Sequence, residues 1–322
     1  MPLLSTSGYR SPWFLPNGHL QTIVPSLLRK TPHLTNEKER LELADGDFLD
    51  LEWHRQKGTH AQRLAIFCHG LEGNAGASYV QEVAGSLARQ GWDILAWSYR
   101  GCSGEMNRLA RFYHSGATED LAAVVEHAIG HHSAPQIDLI GFSLGGNLVL
   151  KYLGEKSERV SSRLGKAVTF SVPCDLACSA KQLDTVFSRE IYMRRFIKSL
   201  AHKVRFKQAL FPEQLNSEGL DSIRTFREFD NRYTAPLHGF TDAEDYWRRS
   251  SSRPFLKKIR IPALLVNAEN DPFLGPDCYP RDEATESSFF HLEIPRTGGH
   301  VGFPGGGSEE PWLAERVLSF LK

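Results

Sequence analysis

The chain has 322 residues, enough to bury a full core as one large α/β domain or two smaller ones, and its 41% hydrophobic and 24% charged residues describe an ordinary soluble globular protein. Its 38 basic and 38 acidic side chains cancel, so no overall field argues for nucleic acid, and electrostatic recognition must come from local patches. No apolar run approaches the length that spans a bilayer, the N-terminus lacks the basic stretch and apolar core of a secretory signal, and five cysteines lack disulfide-framework or zinc spacing; a reduced, cytoplasmic protein with buried thiols is expected.

Residues 10 to 30 are rich in proline and aromatics without a clear period, and read as an arm, over about 1–35, wrapped on the body. Between Leu41 and His54 two extended segments flank Asp45-Gly46-Asp47, a hairpin turn. The short apolar runs at 63–69 and 93–97 read as strands buried on both faces, with a helical pattern over 78–90 between them. Helical spacing over 118–129 has acidic residues in its first turn. Next comes an apolar run ending at Gly141, then Gly141-Phe-Ser143-Leu-Gly145, then a helical pattern. That succession is a nucleophile elbow, a turn so tight that Gly141 and Gly145 must let backbones approach closely. Further strands read at 166–171, 261–267 and 289–294, before a closing helix over 311–321. The stretch from about 175 to 253 is helical, charged and free of buried-strand runs, which suggests a helical cap inserted into a single domain, 1–322. Strands alternating with helices predict an α/β fold with a doubly wound, mostly parallel sheet.

A serine hydroxyl is a poor nucleophile until a base takes its proton, and the base needs a third group to fix its tautomer. In α/β-hydrolases these follow in chain order Ser, Asp or Glu, then His, each on a loop after a strand. Here Asp271 follows the strand at 261–267 and His300 lies among glycines after the strand at 289–294. Three positions in order are far more specific than the elbow alone, and they nominate Ser143, Asp271 and His300 as catalytic residues. Asp175, after the preceding strand, is the rival acid. The oxyanion hole is assigned to the backbone N–H groups of Leu144 and of Leu71, the latter in the loop His69-Gly-Leu-Glu-Gly73. His127 and His131, four apart without a third ligand, and the pair His131-His132 read as solvated. Cys68 and Cys102 read as small buried apolar residues. No metal or organic cofactor is called for. The segment 187–211 carries seven basic residues, Lys203 and Lys207 among them, and an apolar stripe at Met193, Ile197, Leu200 and Val204. It reads as a cap helix with a solvated basic face; peripheral contact with anionic lipid is the sharper alternative.

The sequence resembles the YheT-like α/β-hydrolases, the AB hydrolase 4 group of esterases. The resemblance rests on Asn17-Gly-His-Leu-Gln-Thr22, His69-Gly-Leu-Glu-Gly73, Ser98-Tyr-Arg-Gly-Cys-Ser-Gly-Glu105, Tyr113-His-Ser-Gly116, the elbow, Thr234-Ala-Pro-Leu-His-Gly-Phe240 and Asn270-Asp-Pro-Phe273. It implies the same Ser143, Asp271 and His300 triad and carboxylesterase activity, and it brings in relatives that are medium-chain phospholipases and alcohol acyltransferases. The expected function is hydrolysis of short- to medium-chain, small-molecule esters through an acyl-enzyme. An alcohol acyltransferase, a thioesterase or carbon–carbon bond hydrolase, and a non-catalytic binding scaffold remain the alternatives. Oligomeric state and the roles of His19, Gln21, His114 and His238 stay open.

Overall fold

A computed structural model describes residues 3–4, 7–29, 31, 34, 36–57, 61–305 and 310–322. Among the described residues nine strands form a single sheet: β1 (Leu3–Leu4), β2 (Glu37–Glu42), β3 (Phe48–His54), β4 (Arg63–Cys68), β5 (Asp93–Ser98), β6 (Gln136–Phe142), β7 (Leu164–Phe170), β8 (Ala263–Val266) and β9 (Phe290–Glu293). Their order is β1-β9-β8-β7-β6-β4-β5-β3-β2, parallel from β1 to β5, with β3 and β2 added antiparallel. β5 is buried along its whole length, and β4 and β6 at every residue but the first. Burial on both faces produces continuous apolar runs in place of alternation.

Successive side chains point to opposite faces of a strand. Ala65, Phe67, Ile94, Ile140, Phe142 and Phe170 thus face one cluster, completed by α2 (Ser78–Arg89) and α12 (Trp312–Leu321). Leu64, Ile66, Leu95, Trp97, Ile137 and Leu139 face the other, completed by α3 (Thr118–His131) and α4 (Leu144–Lys156).

Between β7 and β8 lie α5 (Leu176–Leu183), α6 (Val186–Ser188), a π-helical turn (Arg189–Met193), α7 (Arg194–Leu210), α8 (Phe226–Phe229), α9 (Ala235–Leu237) and α10 (Ala243–Ser250). Met193, Ile197 and Val204 are buried and Leu200 half-buried, so the apolar stripe of α7 faces inward. Two of its lysines go in as well, contrary to the solvated basic face expected of them: Lys203 is 8% and Lys207 0% exposed. Lys207 Nζ donates to the carbonyls of Asn107 and Leu109, and burial pushes its pKa down to about 8.

The segment expected to lack a period contains a helix, α1 (Gly18–Leu28), with Pro25 inside it; Asn17 caps it by accepting from the Leu20 N–H at 3.0 Å. Several residues of the 1–35 stretch lie outside the described ones. His132 is not solvated either, since its Nε2 meets Asp93 Oδ2 at 2.7 Å and its ring stacks on Trp53. α11 (Arg281–Thr285) sits between β8 and β9. Among the described residues no helix is long and apolar enough to cross a membrane.

Candidate active site

β6 ends at Phe142 and α4 begins at Leu144, so a single residue, Ser143, makes the whole turn at φ 52°, ψ −120°. A non-glycine residue in this region carries roughly 1–3 kcal/mol of strain, which only an over-determined surrounding holds. That surrounding is visible: a Cβ at Gly145 would stand 2.3 Å from the Cys68 carbonyl oxygen, and one at Gly141 would stand 2.6 Å from that of Gly145. The Ser143 N–H donates to Phe170 O at 2.8 Å, tying the turn to β7.

His300 Nε2 lies 2.9 Å from Ser143 Oγ, and its Nδ1 lies 2.9 and 3.1 Å from the two carboxylate oxygens of Asp271. Asp271 is 3% exposed and also accepts from the Phe273 N–H at 2.9 Å. A carboxylate at Nδ1 places the imidazole proton there, so Nε2 presents its lone pair to the serine hydroxyl. The Phe273 ring stacks on the imidazole with centroids 3.9 Å apart. Asp175 is elsewhere: its side chain caps α5 by accepting from the Cys178 N–H at 2.9 Å.

α1 supports both loops of this arrangement, a role that sequence reasoning left open for Gln21 and did not raise for Thr22. Gln21 is fully buried; its Oε1 accepts from the Gly298 N–H at 2.8 Å and from Asn270 Nδ2 at 3.0 Å, and its Nε2 donates to Leu15 O at 2.7 Å. Thr22 Oγ1 accepts from the His300 N–H at 2.9 Å. The available signal was the polar pair Gln21-Thr22 in an otherwise apolar stretch.

The loop after β4 is shaped by four rings, His69, Tyr99 and Tyr113 buried and Tyr79 half-buried. The Tyr99 N–H donates to His69 Nε2 at 3.2 Å, so the proton sits on Nδ1, 2.7 Å from Gly70 O. Burial pushes the His69 pKa down to about 3, keeping it neutral. The Gly70 N–H donates to Tyr79 OH, the Glu72 N–H to Tyr113 OH and the Gly73 N–H back to Gly70 O. That leaves the Leu71 amide as the one in this stretch without a partner among the described residues. Leu144 N–H, at the first position of α4, likewise precedes any intrahelical acceptor. Glu72 adopts φ 55°, and its carboxylate meets Lys203 Nζ at 2.7 Å, Tyr113 OH at 2.7 Å and the Ser199 hydroxyl.

Two cavities meet at Ser143 and His300. One, of about 120 Å³, runs under the helices between β7 and β8, against Leu144, Phe229, Trp247 and Phe273. The other, of about 400 Å³, opens past Ile23, Leu27 and Ile191. His114 and His238 line the first, whereas His19 is engaged with Tyr192 OH at 3.0 Å. Cys68 and Cys102 are poor candidate nucleophiles, because burial pushes their thiols up to about 12 and about 11. Among the described residues no group of three or more His, Cys, Asp or Glu side chains is placed to hold a metal ion.

Residues 66–304 match the family model of the alpha/beta hydrolase fold. The chain is 37% identical to "Putative esterase YheT" of Escherichia coli (strain K12), over 95% of this chain and 90% of that one. It is 30% identical to a monoacylglycerol lipase of Saccharomyces cerevisiae, over 81% of this chain and 59% of that one. In fold it is similar to the Pyrococcus furiosus esterase Pf2001, with a TM-score of 0.60 at 15% identity, covering 89% of this chain and 90% of that one. The chain therefore belongs to the alpha/beta hydrolase fold family, as a YheT-like member of the esterase and lipase type.

Proposed function

We propose that this protein is a serine carboxylesterase acting on short- to medium-chain esters. The single observation that carries the proposal is the unbroken chain of hydrogen bonds Ser143 Oγ–His300–Asp271 at the junction of two cavities. Ser143 attacks the acyl carbonyl while His300 Nε2 takes its proton. Asp271 orients the imidazolium, and the Leu71 and Leu144 amides receive the charge that develops on the carbonyl oxygen. His300 then protonates the departing alcohol, and water releases the acid by the same steps in reverse order. One branch of the ester occupies each cavity. Their predominantly aliphatic and aromatic walls suit hydrocarbon over charged groups.

The helices between β7 and β8 act as a cap in this scheme, and α1 as part of an arm that braces the catalytic loops. Exposed Arg194, Arg195 and Lys198 of α7, beside exposed Ile191 and Leu27 at the larger cavity's mouth, offer a surface for peripheral contact with anionic lipid. The test of the activity is turnover of p-nitrophenyl esters from two to twelve acyl carbons by wild type and Ser143→Ala. A chain-length optimum that vanishes with the serine is expected; no turnover, or turnover that survives the substitution, overturns the proposal. Product analysis with added ethanol separates hydrolysis from acyl transfer.

A further inference from the structure

The smaller cavity has a polar cluster set in its largely apolar wall: Asp230, Thr234, His114, His238 and Tyr246. Most of these groups satisfy one another or the backbone. Asp230 accepts from Thr234 Oγ1 at 2.6 Å and from Trp247 Nε1 at 2.8 Å. Tyr246 OH donates to Ser115 Oγ at 2.9 Å and accepts from the Ser115 N–H at 3.0 Å. His114 Nδ1 accepts from the Gly116 N–H at 3.1 Å. His238 is the exception. Its ring lies 4.5 Å from that of His114, and both of its nitrogens are shut off from solvent with no partner among the described residues.

Buried polar atoms without partners are few in native structures, and each asks for a reason. A ligand group in the cavity would supply one. Burial pushes the His238 pKa down to about 3 and that of His114 down as well, so at neutral pH the ring offers one N–H donor and one lone pair. A hydrocarbon terminus would leave both nitrogens unpaired. A carboxylate terminus would meet the Asp230 carboxyl in the same wall, where Lys203, the cation of that wall, is already engaged by Glu72 and His238 is neutral. A hydroxyl group fits: it is uncharged, and it both donates and accepts.

We propose that the ester branch entering the smaller cavity carries an uncharged hydroxyl group held by His238, so that the preferred substrates are hydroxylated esters. This rests on the esterase reading above. The hydroxyl can come from either side of the ester, on the acyl chain or on the alcohol, and the same imidazole would recognise it.

The test compares plain and ω-hydroxylated p-nitrophenyl esters at each acyl length, alongside monoesters of α,ω-diols against those of 1-alkanols. At one length the hydroxylated member should gain about tenfold in kcat/KM, as expected of one well-made hydrogen bond. Gain in the first series places the hydroxyl on the acyl side, gain in the second on the alcohol side. His238→Leu should abolish or reverse the gain, and His238→Gln, which keeps a donor and an acceptor, should retain it. A hydroxyl that lowers kcat/KM at every length in both series, or a preference untouched by His238→Leu, overturns the proposal while leaving the esterase reading intact. Binding of α,ω-diols against 1-alkanols to Ser143→Ala by calorimetry gives a readout that needs no turnover. Equal affinity for the two overturns the hydroxyl site; failure of Ser143-dependent turnover with a diol preference in binding overturns the esterase reading alone.

Discussion

Lys203 of α7 reaches across to the Glu72 carboxylate at 2.7 Å, and Glu72 is the residue next to Leu71 in the loop proposed to hold the oxyanion. The helices over the site and the loop beneath them are thereby joined through one buried ion pair, whose side chains are 10% and 8% exposed. Burial lowers the Lys203 pKa, but the neighbouring Cys102 and Glu72 more than offset it, so the net shift is upward and the ammonium is kept.

Breaking that pair leaves a buried charge unmatched. Lys203→Met should cost about 3–5 kcal/mol in urea unfolding, by the rule for one-sided loss of a buried pair. The double variant Lys203→Met, Glu72→Gln should recover most of it. If the loop is held by this contact, both singles should also lower kcat more than they raise KM. Equal stability of Lys203→Met and wild type would show that the pair is not structural.

Ser143 is both the proposed nucleophile and a strained residue. Ser143→Ala should reduce turnover roughly 10⁵- to 10⁶-fold and abolish labelling by a fluorophosphonate, with the fold unchanged by circular dichroism. Ser143→Gly should be equally inactive yet more stable by about 1 kcal/mol, because glycine adopts φ 52° without strain. A Ser143→Gly protein no more stable than Ser143→Ala would contradict the strained turn.

Gln21 offers its amide to three partners from the base of α1. Gln21→Met should leave the Gly298 N–H and Asn270 side chain short of an acceptor, at about 1–3 kcal/mol. It should also lower kcat, because Gly298 and Asn270 stand beside His300 and Asp271. Unchanged kcat with lowered stability would mean that α1 braces the fold without positioning the site.

Asp230 gives a pH signature. Burial pushes its carboxyl up to about 6, against the opposing pull of its bonds from Thr234 and Trp247. The native state therefore holds a proton that the unfolded chain releases near pH 4. This contribution to stability is full below that pH and is lost as pH rises through 6. Two pKa units correspond to about 3 kcal/mol. Unfolding free energies from pH 4.5 to 7.5 should fall in wild type relative to Asp230→Asn by that order; parallel curves would rule the effect out.

Much of the sheet was legible because its strands are buried on both faces: 63–68, 93–98 and 136–142 stand out as apolar runs whatever their neighbours are. That Ser143, Asp271 and His300 meet was legible because strand-end loops carry them in a fixed chain order. α1 was not, since Pro25 and the mixed pattern Gly-His-Leu-Gln-Thr-Ile-Val-Pro hide its period, and its reason to exist lies almost three hundred residues away at Gly298 and His300. Lys203 and Lys207 were misread for a related cause. A lysine on a helix is assigned to solvent by default, and only the fold brings Glu72 and the carbonyls of Asn107 and Leu109 to it. β1, described at Leu3–Leu4, offers no pattern to find.

The sheet also ends differently on its two sides. β2 closes one side with the sequence Glu-Lys-Glu-Arg-Leu-Glu, and β1, described at Leu3–Leu4, closes the other. An outermost strand exposes unpaired backbone groups that invite another chain to add on. The dense alternating charge of β2 is one way of refusing that invitation. On its β2 side, a sheet this apolar inside thus carries its own deterrent to extension from molecule to molecule.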